Sequence, residues 1–123
     1  MARILIADDD PDYLSAFREG MAALGHEVVG VGTGAEAVEA LSDGVFDIVF
    51  LDVFMNGGGA ISVIHTVKNI DPDVSVVIIT GKTTILNSPI LEDGLRLAKA
   101  KISKSASLAE LDRLVRNNGR RTS

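Results

Sequence analysis

Six side chains of this sequence are of types that handle phosphoryl groups or hard metal ions, and each stands at the end of an apolar run. Asp8, Asp9 and Asp10 follow Arg3-Ile4-Leu5-Ile6-Ala7, and Asp52 follows Ile48-Val49-Phe50-Leu51. Thr80 closes the run 74–80, and Lys104 lies just past Lys101-Ile102. Two carboxylates about 4 Å apart repel by about 4 kcal/mol at an effective dielectric near 20, so Asp9 and Asp52 gathered at one place need a compensating cation. Oxygen donors with one open side suit Mg²⁺, which keeps several waters and takes a phosphoryl oxygen as a further ligand. The Thr80 hydroxyl can donate to one phosphoryl oxygen and the Lys104 ammonium can neutralise another. Together these groups suit phosphoryl transfer with the Asp52 carboxylate as nucleophile. Singly they say little. Aspartates after strands form turns and caps, and Asp10 before Pro11 is itself a helix-cap signature. The specificity lies in the set.

The elements that must position these groups alternate along the chain. The run 3–7 is short, apolar and halted by aspartates, and so reads as a buried strand. Leu14, Phe17, Met21 and Leu24 recur at helical spacing before Gly25. A second strand spans 27–31, and Thr33 caps a short helix with Ala37, Val38 and Leu41 on its apolar face. The third strand, 48–51, is fully apolar. Gly57-Gly58-Gly59 is a loop, and a helix over 61–69 carries Ile61, Ile64, His65 and Lys68 at helical spacing. Pro72 breaks it before the fourth strand, 74–80. Between 83 and 98 the pattern is helical in its second half (Leu91, Leu95, Ala98) and interrupted by Asn87-Ser88-Pro89. Lys101-Ile102 is a short fifth strand. Ser107 caps a last helix that buries Leu108, Leu111, Leu114 and Val115 and ends at Asn118-Gly119. Apolar strands alternating with helices imply a parallel sheet covered on both faces, and right-handed crossovers make it an open doubly wound α/β sheet of five strands. Ligands bind such sheets at the carboxyl ends of the strands, where all six side chains stand.

Composition narrows the classes. A chain of 123 residues is one domain, spanning 1–119 with a frayed tail over 120–123. At this size it buries somewhat over ~60% of its unfolded surface, enough for a single core. With no cysteine, disulfides, thiolate metal sites and cysteine nucleophiles are excluded. The longest apolar run is far below the ~20 residues that span a bilayer. The amino end carries no tripartite export signal, so a cytoplasmic protein with no membrane association is expected. A net charge of −5 argues against direct nucleic-acid binding.

Four segments carry a family resemblance. Ile4-Leu5-Ile6-Ala7-Asp8-Asp9-Asp10-Pro11, Ile48-Val49-Phe50-Leu51-Asp52-Val53-Phe54-Met55, Val77-Ile78-Ile79-Thr80-Gly81 and Ile102-Ser103-Lys104 together resemble a response-regulator receiver domain of the chemotaxis-regulator type, the phosphoacceptor half of two-component signalling. The resemblance covers nearly the whole chain. It implies a flavodoxin-like sheet in the order 2-1-3-4-5, and a phosphoryl group passed from a histidine kinase or histidine phosphotransfer protein to Asp52. It further implies Mg²⁺ held directly by Asp9, Asp52 and the Phe54 carbonyl, with Asp8 acting largely through water. Thr80 and Lys104 become the switch hydroxyl and the phosphoryl-binding cation. Three positions depart from the family pattern: Asn56 replaces a proline, Lys101 replaces the aromatic three residues before the lysine, and Ser105 replaces the proline after it. The reaction centre is kept, while the usual coupling of threonine to an aromatic is not. With no output domain in these residues, signalling is expected through an output protein that binds the phosphorylated form.

Other patterns were weighed against this one. A pseudo-receiver adaptor that no longer switches through phosphate is the alternative that Asn56, Lys101 and Ser105 keep open. A haloacid-dehalogenase-like phosphatase shares the Asp, Thr and Lys series. It has Asp12 where that family expects Thr or Val, lacks a late acidic motif, and leaves Asp52 without a role. Gly30-Val31-Gly32-Thr33-Gly34-Ala35 fits a dinucleotide fingerprint, but it follows the second strand, which this fold places at the sheet edge, and reads as a turn. His26 reads as a turn residue and His65 as a helix-surface residue. Arg113, Arg116, Arg120 and Arg121 complement the dipole of the last helix.

Overall fold

In the computed structural model, residues 1–55, 59–81, 89 and 96–119 are described. The elements run β1 (Arg3–Ala7), α1 (Pro11–Ala23), β2 (Glu27–Val31), α2 (Gly34–Asp43), β3 (Ile48–Asp52), α3 (Ala60–Ile70), β4 (Ser75–Thr80), β5 (Ala100–Ser103) and α4 (Leu108–Asn118). The five strands are all parallel and lie in the order β2-β1-β3-β4-β5. The expected doubly wound α/β sheet is therefore observed. Most of the helical pattern expected over 83–98, and the tail 120–123, lie outside the described residues; residues 96–98 form a turn into β5.

Because side chains alternate across a strand, the sheet divides the core in two. Leu5, Val49, Leu51, Val76 and Ile78 point to the side covered by α2 and α3, with Leu41, Val63, Ile64 and Val67. Ile4, Ile6, Ile48, Phe50, Val77 and Ile79 point to the other side, with Phe17 and Met21 of α1 and Leu111 and Val115 of α4. The three central strands are buried on both faces, which is why β3 and β4 read as unbroken apolar runs.

The caps are as the local sequence dictates. Asp10 Oδ1 accepts from the N–H groups of Asp12 and Tyr13 at 3.0 and 3.3 Å, Thr33 from Glu36 at 3.1 Å, and Ser107 from Glu110 at 3.2 Å. After α1 the chain turns at Gly25 with φ +91°, a conformation that a side chain would strain. Helix faces are where the structure departs from the sequence reading. Leu24 and Leu108 are exposed, and Leu114 is half-buried. On α3 the buried face is Ala60, Val63, Ile64 and Val67, so of Ile61, Ile64, His65 and Lys68 only Ile64 is buried. Both sets obey the same helical spacing, and only contact with the sheet chooses between them. Lys68 instead donates to the carbonyls of Pro72 and Val74, both at 2.8 Å, closing the turn into β4.

Candidate functional site

All the site residues singled out from the sequence stand at the carboxyl edge of the sheet. Asp8 follows β1 and is fully buried. Its N–H bonds to the Val31 carbonyl at 3.0 Å, and its Oδ1 accepts from the Asp10 N–H at 2.9 Å. Asp9, one residue on, is exposed. Asp52 is the last residue of β3 and is 4% exposed; its Oδ1 accepts from the Phe54 N–H at 3.3 Å. Thr80 ends β4 and is buried, and its carbonyl accepts from the Lys104 N–H at 2.9 Å, which ties the segment after β5 to the end of β4. The turn beyond Lys104 is closed by Ser105, whose N–H bonds Ser103 Oγ at 3.1 Å and whose hydroxyl lies 2.8 Å from it.

The centre of the site is Lys104. Its Nζ lies 2.7 Å from Asp8 Oδ2 and 3.2 Å from Asp52 Oδ2, so one ammonium serves two buried carboxylates. Burial, and then the nearby negative charge of Asp8, push the Asp52 carboxyl above the ordinary carboxylate range; the hydrogen bond from Lys104 opposes the rise without cancelling it. For Lys104 burial disfavours the charge, but its bonds to Asp8 and Asp52 prevail and hold its pKa above the usual lysine value. Among the described residues, two like charges and one unlike charge make a site that favours added positive charge. Each of Asp8, Asp9 and Asp52 offers a carboxylate oxygen within 4.8 Å of the others, a hard-oxygen set that fits Mg²⁺. Beside it, Asp9, Val53, Phe54, Met55 and Gly59 line an open recess of about 290 Å³. Gly59 is required there, because a Cβ would collide with the Val53 carbonyl oxygen. Phe54 is 53% exposed at this rim, and Lys101 is exposed on β5.

Two residues were missed by the sequence reading. Tyr13, in the first turn of α1, places its ring centroid 5.0 Å from Lys104 Nζ. Burial, then the charge of Asp8, push its phenol up to about 12. Its one sequence signal was an aromatic one helical turn beyond the acidic run. His26, read as a turn residue, does lie between α1 and β2, and it is buried. Its Nδ1 accepts from the Ala2 N–H at 3.0 Å, and its Nε2 faces Asp112 Oδ1 at 2.7 Å. That pairing could not come from spacing, since the partner is far along the chain on α4. His65 is exposed on α3, as read. Gly30 and Val31 of the dinucleotide-like run belong to the edge strand β2, away from the acidic pocket.

A doubly wound parallel sheet with an acidic pocket and a lysine at its carboxyl edge defines a class, and comparison with known proteins gives it a family. The response regulator receiver domain matches residues 4–116, and the chain belongs to that family. It is 32% identical over 111 residues to the response regulator receiver protein CpdR of Brucella abortus, covering 90% of this chain and 91% of that one. It is 30% identical over 87 residues to the DNA-binding transcriptional regulator NtrC of Azospirillum brasilense. The match spans only 18% of NtrC, and 36% of the transcriptional regulatory protein PrrA of Mycobacterium tuberculosis. Among solved structures, the response regulator TrrA of Thermotoga maritima in complex with Mg²⁺–BeF superposes with a TM-score of 0.84 at 25% identity, over 95% of this chain and 98% of that one. A CheY-like receiver domain from Methanospirillum hungatei shares the fold with a TM-score of 0.84 at 21% identity. Receiver domains are signalling domains of two-component systems. No helix among the described residues is long and apolar enough to cross a membrane.

Proposed function

We propose that this receiver domain, residues 1–119, accepts a phosphoryl group on Asp52 from the phosphohistidine of a sensor kinase or histidine phosphotransfer protein, and signals by binding an output protein in that state. The observation that carries the reading is the single ammonium of Lys104 shared between two buried carboxylates. Such a pair is costly as a structural device, since each buried charge is only partly compensated. It is useful where an incoming phosphoryl group brings further negative charge that the ammonium can turn to neutralise.

The roles follow from position. A carboxylate oxygen of Asp52 attacks phosphorus, the P–N bond breaks, and the imidazole nitrogen leaves with the electron pair and takes up a proton. Lys104 then turns from Asp52 to a phosphoryl oxygen while keeping Asp8, and the Thr80 hydroxyl donates to another. Asp9, Asp52 and the Phe54 carbonyl would hold Mg²⁺, with Asp8 acting through water. The ion supplies neutralisation of the charge that gathers between carboxylate and phosphoryl group. The protein is a phosphoacceptor and not an enzyme acting on a separate substrate. The acidic balance supports a role without direct nucleic-acid contact, and a cytoplasmic site of action is part of the same reading.

The test is incubation with acetyl phosphate and Mg²⁺ followed by intact mass. Wild type should gain one phosphoryl group. Asp52→Asn, which keeps the shape and removes the anionic nucleophile, should gain none. The exposed Lys101 on β5 favours one second reading, the adaptor that does not switch through phosphate, and a wild type that gains no mass would support it.

A further inference from the structure

Tyr13 is the only tyrosine of the chain, and there is no tryptophan. Its N–H is bonded to the Asp10 cap, so the loop that carries Asp8 and Asp9 also sets its place. One side of the ring is held by the core: Phe17 lies 6.2 Å away and itself packs edge-on against Phe50 of β3, with centroids 5.0 Å apart. Lys104 Nζ lies 5.0 Å from the ring centroid, within the range of cation–π attraction. The phenol oxygen, by contrast, is buried with no hydrogen-bond partner among the described residues. Buried tyrosine hydroxyls ordinarily find one, so the hydroxyl is not what holds this residue in place. Lysine reaches its partners on a flexible four-carbon stem and needs an external guide to keep one orientation. Position 101, three before the lysine, carries no ring to provide it.

We propose that Tyr13 is a positioning residue for Lys104: its ring face, and not its hydroxyl, holds the ammonium between Asp8 and Asp52 in the orientation that receives a phosphoryl group. This rests on the phosphoacceptor reading above. When Lys104 engages a phosphoryl oxygen its ammonium shifts relative to the ring, so the emission of the sole tyrosine reports occupancy of the site.

The experiment measures beryllofluoride binding with Mg²⁺ by fluorine NMR, together with the rate of phosphoryl gain from acetyl phosphate, in wild type, Tyr13→Leu and Tyr13→Phe. Tyr13→Leu should weaken beryllofluoride binding and slow phosphoryl gain about threefold to tenfold, the equivalent of ~0.7–1.4 kcal/mol. Its affinity for Mg²⁺ alone should stay that of wild type. Tyr13→Phe should remain within about twofold of wild type. Wild-type tyrosine emission should change on adding beryllofluoride, a reading that needs no variant to fold. The proposal is overturned if Tyr13→Leu matches wild type, if Tyr13→Phe is as impaired as Tyr13→Leu, or if wild-type emission stays constant while fluorine NMR shows the complex formed. A wild type that forms no complex by fluorine NMR overturns the phosphoacceptor reading itself.

Discussion

The two edges of the sheet both hold α4 or the segment before it through carboxylates, yet they do so with opposite economy. At the amino edge, His26 is fixed at both nitrogens, by the Ala2 N–H and by Asp112, and Asp112 also accepts from Arg116 Nε at 2.8 Å. Nearby, Asp47 Oδ2 accepts from the Arg3 N–H at 2.7 Å, Arg3 Nη1 donates to the Val45 carbonyl at 2.9 Å, and Ser75 Oγ donates to the Asn118 carbonyl. There each of these polar groups has its partner within the fold. At the carboxyl edge, Asp8 and Asp52 compete for one lysine, and Asp9 adds a third carboxylate close by. The pKa shifts record the contrast. Hydrogen bonds from Arg116, and then from His26, hold Asp112 below the usual carboxylate range, whereas burial and Asp8 hold Asp52 above it. One edge resolves its electrostatics within the fold, and the other leaves them open to a ligand.

Variants at the two edges should therefore separate binding from stability. The largest effect belongs to the carboxyl edge. Loss of residues that merely orient metal ligands costs 10–100-fold in affinity, so Asp9→Ala should weaken Mg²⁺ binding by about tenfold or more. Its unfolding midpoint should change little, because the residue is exposed. Titration with Mg²⁺ checks the first, denaturant unfolding the second; an unchanged affinity would place the metal elsewhere. Asp112→Ala should behave in the opposite way. It leaves buried His26 with an unsatisfied ring nitrogen and should destabilise the fold by about 1–3 kcal/mol, with the rate of phosphoryl gain from acetyl phosphate as in wild type.

A smaller effect is expected from Phe54. Phe54 is half-exposed at the rim of the recess, and its ring is expected to obstruct water approaching a phosphoryl group on Asp52. Phe54→Asn should hasten dephosphorylation by up to about tenfold, the equivalent of ~1.4 kcal/mol in the barrier. Equal rates would show that the ring does not guard the site. Lys82, two residues after Thr80, lies outside the described residues.

The smallest effect is the dependence of stability on pH, where the two edges carry opposite signs. The Asp52 carboxyl is raised in the fold, so the native state binds the extra proton. Burying its charge costs stability above the raised value, and that cost is relieved as pH falls toward the ordinary 3.8. The advantage of Asp52→Asn over wild type should shrink across that interval. Asp112 is lowered, so its contribution is full above 3.8 and is lost as pH falls through the depressed value. The deficit of Asp112→Asn should shrink only below 3.8. Denaturant midpoints across the acid range test both, and parallel curves for the two variants would remove the distinction between the edges.

How much of this was legible in the sequence depended on distance along the chain. Strands β1, β3 and β4 were readable because a strand buried on both faces needs an unbroken apolar run. The caps at Asp10, Thr33 and Ser107 were readable because a cap acts within a few residues. The placement of Asp8, Asp9, Asp52, Thr80 and Lys104 along one edge followed from parallel strands, whose ends must lie together. Facts that join distant segments were decided by tertiary structure alone. Spacing permits more than one face of α3, and the sheet selects Val63 and Val67 over Ile61. Nothing local marks Asp112 as the partner of His26, nor Tyr13 as the ring beside Lys104. The sequence led to an expectation of a cation between Asp9 and Asp52. The packing of β5 against β4 adds a second cation, Lys104, between Asp8 and Asp52, because the reach of a lysine is fixed by where its backbone is anchored, here on the carbonyl of Thr80.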